Sequence, residues 1–467
     1  MTRWKELALS PYFHKHEETQ RLVDYLSTCF PDFTERQCAR EAIWEALFPG
    51  QAHDQGKLAV LFTYAQRLAD EFLALEQLRQ EEGVRNRWLL TQYRERQVWR
   101  SYEKKLRQSR QRMAQVRRRD VAFYQDQLAL AAERNQYYLR HDQRREDRSL
   151  EEKQQALDHY YLLEKLRDAV EMQVRRQILS GSYSARLLEA VIQELDQNAE
   201  AYQEAPTVQV YYRLYLMMTT PSLHHYQQAL ADFQDHEQHF GPDETATIYN
   251  YFQNFCIGRI NQNEAGFLRE LFQLYRAQLD RGLLMEDGYL VEWHYKNIVT
   301  TALRLGELDW TEGFIEGYKQ QLSPAAADNA YRFNLAALRH AQGDYGKVLE
   351  LLTRVEYSDL RYNLGAKALL MRTYYELEEF EALTALVDTF RQYLQRNRLL
   401  ADSRRSGYYH LFRLARRAAN LRAKLPYQPA DKSRTILHKL RQDLAATEAV
   451  FNRGWLEEKL ELIEDAL

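Results

Sequence analysis

Apolar positions recur along most of the chain at steps of three and four residues, and few stretches alternate strictly, so helices are predicted almost throughout. In "CFPDFTERQCAREAIWEALFPG", Asp32 or Thr34 can cap, and the apolar positions Cys38, Ile43, Trp44 and Leu47 follow at helical spacing. Pro49-Gly50 stops the run. From Val84 to Ser180 neither glycine nor proline interrupts the pattern, and long helices are expected there. Within that stretch Trp99, Tyr102, Leu106, Ser109, Met113 and Val116 form the narrow seam of a coiled coil or helical hairpin. The seam weakens at Asp120, which predicts a bend near Arg117 to Asp120.

From Gly181 onward an aromatic residue is expected to open the second helix of each successive pair: Tyr183, Tyr226, Phe267, Trp310, Tyr345 and Phe380. The intervals are 43, 41, 43, 35 and 35 residues, a sign of stacked helix-turn-helix units. Each pair exposes an apolar face that only the next pair can cover, at roughly 25 cal/mol per square ångström buried. Residues 334 to 355, "NLAALRHAQGDYGKVLELLTRV", carry the clearest unit. A large-small pair, Leu335-Ala336, leads to the turn Gly343-Asp344-Tyr345 and an apolar second helix through Val348, Leu351, Leu352 and Val355.

This unit, about 329–362, resembles a tetratricopeptide repeat, and the resemblance extends more loosely over about 181–397. In the unit near 360–396, Glu378-Glu379-Phe380 replaces the glycine turn and Leu370-Met371 stands in place of the large-small pair. Earlier units carry longer loops, such as "LDRGLLMEDGYL". The expected fold is all-α, a tetratricopeptide-like α-α solenoid with a long-helix or coiled-coil arm. Four segments follow: a helical N-terminal domain over 1–82, long helices forming a basic arm or hairpin over 83–180, repeats over 181–397, and capping helices over 398–467. The last segment predicts helices near 405–425, 431–449 and 455–466, broken by "PYQPAD".

A formal charge of -3 over 467 residues gives no global pull toward nucleic acid or membrane. Three cysteines, Cys29, Cys38 and Cys256, form no CxxC pair and suit a reducing compartment; they read as buried thiols, with a Cys29–Cys38 redox pair as the alternative. The N-terminus lacks a signal-peptide core, and no segment approaches a membrane span, so a cytoplasmic protein without membrane contact is expected.

The densest positive charge is Lys104, Lys105, Arg107, Arg110, Arg112, Arg117, Arg118 and Arg119. It reads either as a phosphate-tracking helix, with Tyr124, Tyr137 and Tyr138 as stacking groups, or as a solvated face neutralised by an adjoining acidic helix. No helix-turn-helix or other nucleic-acid motif accompanies it.

Stacked repeats of the resembled kind imply a concave groove lined by the first helices. Asn254, Asn297 and Asn334 each lie nine residues before a turn-favouring residue, Asn263, Gly306 and Gly343. They form either a ladder for an extended peptide backbone or plain mid-helix amides facing solvent or bridging helices. The positions four before them are Asn250, Trp293 and Ala330 rather than lysine, so the carboxylate clamp of chaperone-binding repeats is not expected. Trp293, Lys296, Arg304, His340 and Arg372 complete the groove candidates.

Asp232, His236 and His239 share one helical face but lack the HExxH spacing of zinc proteases; His14 and His16 form a weaker pair. No motif for a nucleophile, a cofactor or a nucleotide is present. In Gly343-Asp-Tyr-Gly346-Lys347 only two residues separate the glycines and Val348 follows the lysine, so the segment reads as a turn. The expectation is a non-enzymatic protein- or peptide-binding scaffold without cofactors. The alternative is a protein that binds a nucleic-acid backbone through 104–119, and a peptide-sensing regulator is a third possibility.

Overall fold

The computed structural model describes residues 1–141, 148–178, 183–262, 264, 266–353, 360–396 and 402–467. The fold is all-α: among the described residues there are 23 α-helices, and 81% of those residues are helical. The chain divides into two compact units, Met1–Thr245 and Ala246–Leu467. The expected boundaries at Ser180–Gly181 and Asn397, and the positions Asn263 and Val355, lie outside the described residues.

In the first unit Ala8, Leu22, Val23, Ile43, Trp44, Leu47, Phe48, Leu58, Leu61, Ala65 and Leu68 form one N-terminal core. Thr34 caps the short helix Glu35–Cys38 through a capping box with Gln37, and a second helix, Arg40–Leu47, follows. The chain breaks between them at Ala39, whose backbone is extended (ψ 138°), and the Tyr25 hydroxyl donates to the Gln37 carbonyl at 3.0 Å. Cys29, Cys38 and Cys256 are free thiols.

The glycine-free stretch gives the helices Glu82–Glu95, Trp99–Gln115, Val121–His141 and Ser149–Ile178. Trp99–Gln115 and Val121–His141 form a hairpin whose turn, residues 116–120, falls where the seam weakens. At its far end Trp99 stacks on His141 and Tyr102 on Tyr137, each pair with ring centroids 4.4 Å apart. The Tyr102 hydroxyl donates to the Glu133 carbonyl at 3.1 Å. Glu133 is buried and ion-paired with Arg94 at 2.5 Å, so the hairpin's closed end rests on the neighbouring helix Glu82–Glu95.

In the second unit antiparallel helices follow in pairs: Pro242–Asn261, which begins just before the unit, with Gly266–Asp280; then Glu292–Arg304 with Leu308–Tyr318; Ala327–Ala341 with Tyr345–Thr353; and Leu360–Glu376 with Phe380–Arg396. Glu292–Arg304 contacts Ala327–Ala341, which contacts Leu360–Glu376, which contacts Asp402–Lys424. The interhelix turns close alike. The N–H of Glu264, Glu307, Asp344 and Glu379 reaches back five residues to the carbonyls of Arg259, Ala302, Arg339 and Tyr374. Gly306 and Gly343 supply the left-handed residue at φ +77° and +79°, and Glu378 occupies the same geometry at +60° without glycine's freedom.

Tyr226, Phe267, Trp310, Tyr345 and Phe380 lie in the first turn of the second helix of a pair. Tyr183 does not: it precedes a turn at Leu187 (φ +64°), and the next helix starts at Leu188. One long loop holds a two-stranded hairpin, Met285–Glu286 against Tyr289–Leu290, turned by Asp287-Gly288 with both residues at positive φ. The helices Asp402–Lys424, Ala430–Ala445 and Arg453–Asp465 share one core with the last pair, including Met371, Tyr375, Phe390, Phe412, Leu440 and Leu460.

Candidate functional sites on the helix edge and the basic hairpin

The helix Glu292–Arg304 presents Trp293 at 39% exposure. The indole stacks on His294 at 3.7 Å. His294 is buried, and burial lowers its pKa to about 4, so the ring beneath the tryptophan is neutral at pH 7. One turn on, half-buried Asn297 lies beside the buried Tyr275 hydroxyl. Lys296 reaches over the Phe333 ring on the next first helix, with Nζ 5.2 Å from its centroid.

The three candidate asparagines do not share one environment. Asn254 is exposed, Asn297 is half-buried and Asn334 is 1% exposed. The Asn334 amide donates to the Ala330 carbonyl of its own helix at 2.8 Å, while its Oδ1 is enclosed without a partner. A uniform, solvent-facing ladder is therefore not what these positions form.

His340 and Arg372 belong to a different cluster, centred on the C-terminal helix. Lys459 is buried and pairs with Glu376 at 3.0 Å and Glu458 at 2.8 Å. The Trp455 indole N–H donates to the same Glu376 at 3.1 Å. His340 is lowered to about 3 by burial, with Arg372 and Lys459 adding repulsion, and burial also lowers Arg372 to about 10. These two residues are half-buried within electrostatic reach of Lys459 and Glu458 on the helix 453–465 rather than presented on an open groove. Nothing in the sequence spacing links Lys459 to Glu376, which lie 83 residues apart.

In the basic hairpin the charges divide. Arg112 pairs with Glu82 at 2.5 Å and Arg110 with Glu152 at 3.8 Å. Arg119 lies over Phe123, 4.1 Å from the ring centroid, and donates to the Val116 carbonyl at 2.8 Å. Among the described residues, Lys104, Lys105, Arg107, Arg117 and Arg118 have no carboxylate partner. Tyr124 is buried against His159, and Tyr137 stacks on Tyr102, so both rings pack inside and neither is free to stack on a base.

The turn is tied down by its backbone. The Arg119 N–H donates to the His239 carbonyl at 2.8 Å, and His239 Nδ1 lies 2.6 Å from the Arg117 carbonyl oxygen. The buried Thr207 hydroxyl donates to the Arg119 carbonyl at 2.6 Å. His236 turns its Nδ1 to the Asp232 carbonyl, and the Asp232 carboxylate pairs with Arg213 at 3.1 Å. The histidine-rich segment thus anchors the hairpin, and among the described residues no group of three or more His, Cys, Asp or Glu is placed to hold a metal ion.

Between the hairpin helices and Glu82–Glu95 lies a cavity of about 360 Å³, and a second of about 300 Å³ adjoins it; Met113, Phe123 and Leu130 line both. Sequence reasoning named Arg110, Arg112, Arg118 and Arg119 and placed Ser109 in the seam, but missed Asp126 and Gln127, which also line these cavities. No helix among the described residues is long and apolar enough to cross a membrane. Comparison with protein-family models, with curated proteins and with solved structures gave no match.

Proposed function

We propose that the protein is a non-enzymatic interaction scaffold: a tetratricopeptide-like array whose first helices bind a peptide or protein segment at the edge around Trp293. The supporting observation is Trp293 itself, a large aromatic left exposed yet stacked on a neutral, buried histidine. A pre-ordered aromatic loses little side-chain entropy on binding, and such residues dominate interface energies. Asn297 and the Lys296 ammonium, next to it on the same helix, can add hydrogen bonds to a backbone or an acidic side chain. The shared turn closure in successive pairs supports the repeat reading independently of the family resemblance. Selection of displayed peptides on the intact protein, repeated on Trp293→Ala, tests the proposal. Enrichment by the former and loss with the latter are expected; the same peptides recovered from both would refute it.

The second reading, nucleic-acid binding through 104–119, is favoured by the cations that lack carboxylate partners. Phosphate contacts would make binding to generic RNA or DNA fall steeply with salt. Absence of binding at low salt removes this reading.

A further inference from the structure

The hairpin Trp99–His141 is filled at one end and hollow at the other. Two ring stacks occupy the space near Trp99 and Tyr102, whereas nothing of comparable size stands between Met113 and Phe123. The two adjoining cavities, about 360 and 300 Å³, fall at the lower end of the usual range for small-molecule sites. The hollow is held open from outside, since three hydrogen bonds fix the turn at Arg117 and Arg119 to His239 and Thr207.

The two lobes differ in charge. The larger is balanced: Arg87, Arg112 and Arg118 face Glu81, Asp120 and Asp126. The smaller carries Arg110, Arg119 and Arg134 against Glu152 alone. Arg134 holds Glu152 at 2.5 Å, and Arg110 reaches that carboxylate only at 3.8 Å. Arg119 bonds one backbone carbonyl and covers Phe123, leaving further guanidinium donors for a ligand. Between the lobes Met113, Phe123 and Leu130 make an apolar passage. Ser109 Oγ in the larger lobe is a buried polar atom without a hydrogen-bond partner. Gln127 Oε1 in the smaller lobe is another.

We infer that this hollow binds a small organic monoanion with an apolar body, its anionic head held by Arg110 and Arg119 and its body lying along Met113, Phe123 and Leu130. A guanidinium pair matches a carboxylate or comparable oxyanion, and the surplus of cations in the smaller lobe selects against an amine of the same shape. The site uses residues of the first unit only and stands apart from the reading of Trp293.

Isothermal titration of the full chain with decanoate, and with decylamine as its cationic counterpart, tests the inference. Decanoate is expected to bind and decylamine not to. Arg110→Gln combined with Arg119→Gln removes both charges while keeping polar side chains and is expected to weaken decanoate at least tenfold, and Met113→Trp fills the passage and is expected to abolish binding. If Met113→Trp fails to fold, the arginine variant still decides. No decanoate binding, equal binding of decylamine, or unchanged affinity in the double arginine variant would each overturn the site.

Discussion

Two cation-rich regions of this protein treat charge in opposite ways. In the hairpin Trp99–His141, arginines stand around a hollow, and several have no carboxylate partner among the described residues. Around the C-terminal helix Arg453–Asp465, Lys459 is buried on Glu376 and Glu458, with His340 and Arg372 enclosed beside it. The hairpin leaves Lys104, Lys105 and Arg107 without carboxylate partners among the described residues, so removing one of these costs the fold little. The C-terminal cluster has taken Lys459 and Glu376 largely out of water, and each then depends on the other.

The sharpest way to break the comparison is to delete one member of the buried cluster. Lys459→Met takes from Glu376 its ammonium partner, leaving the Trp455 N–H as a donor and Arg372 as the nearby charge, and is expected to cost about 3–5 kcal/mol in urea unfolding. Lys105→Gln and Arg107→Gln in the hairpin are expected to change stability by less than about 0.5 kcal/mol. A comparable loss in both regions would erase the distinction.

Glycines probe packing in the same two places. A methyl group on Gly407 would lie 2.7 Å from two carbons of the Phe451 ring, so Gly407→Ala is expected to destabilise by about 1–3 kcal/mol. A methyl group on Gly83 would meet the Asp126 carboxylate at 2.1 Å, but that side chain borders the hollow and can swing into it. The gain of alanine over glycine in a helix then offsets the displacement, and Gly83→Ala is expected within about 1 kcal/mol of the parent. Thermal unfolding of the two variants checks the order.

Acid should separate the regions more gently. His340 is held neutral, its pKa lowered from 6.5 to about 3. The unfolded chain therefore binds a proton that the native state refuses between those values. Stability is complete above pH 6.5 and falls toward pH 3, by at most about 1.4 kcal/mol per pH unit from this residue. His340→Gln is expected to flatten the slope of unfolding free energy between pH 6 and 4. An unchanged slope would place the titrating group elsewhere.

Much of this architecture is legible in the sequence because helices announce themselves locally. The seam from Trp99 to Val116, the turn at Gly343-Asp344-Tyr345 and the helices after "PYQPAD" all follow from spacing and breaker residues within a few positions. Glu378 shows the limit: it adopts a left-handed turn that glycine would have advertised. The small hairpin at Asp287-Gly288 was signalled by its dipeptide but masked by the helical context. The sites were less visible because they depend on distant residues. The asparagine spacing was real, yet burial sets Asn334 apart from Asn254. His340 and Arg372 are covered by a helix more than 80 residues further along the chain. Trp293 stood in the sequence as a groove candidate at a position where a clamp would carry lysine, and what sets it apart is the buried histidine beneath it.

The central claim is that partner recognition lies at the Trp293 edge and not on the hairpin's cations. The most direct measurement is the affinity of one selected peptide for the intact protein, for Trp293→Ala and for the Arg110→Gln, Arg119→Gln double variant. The account predicts at least a tenfold loss with the tryptophan variant and no change with the arginine pair; unchanged affinity in Trp293→Ala, or a loss confined to the arginine pair, would contradict it.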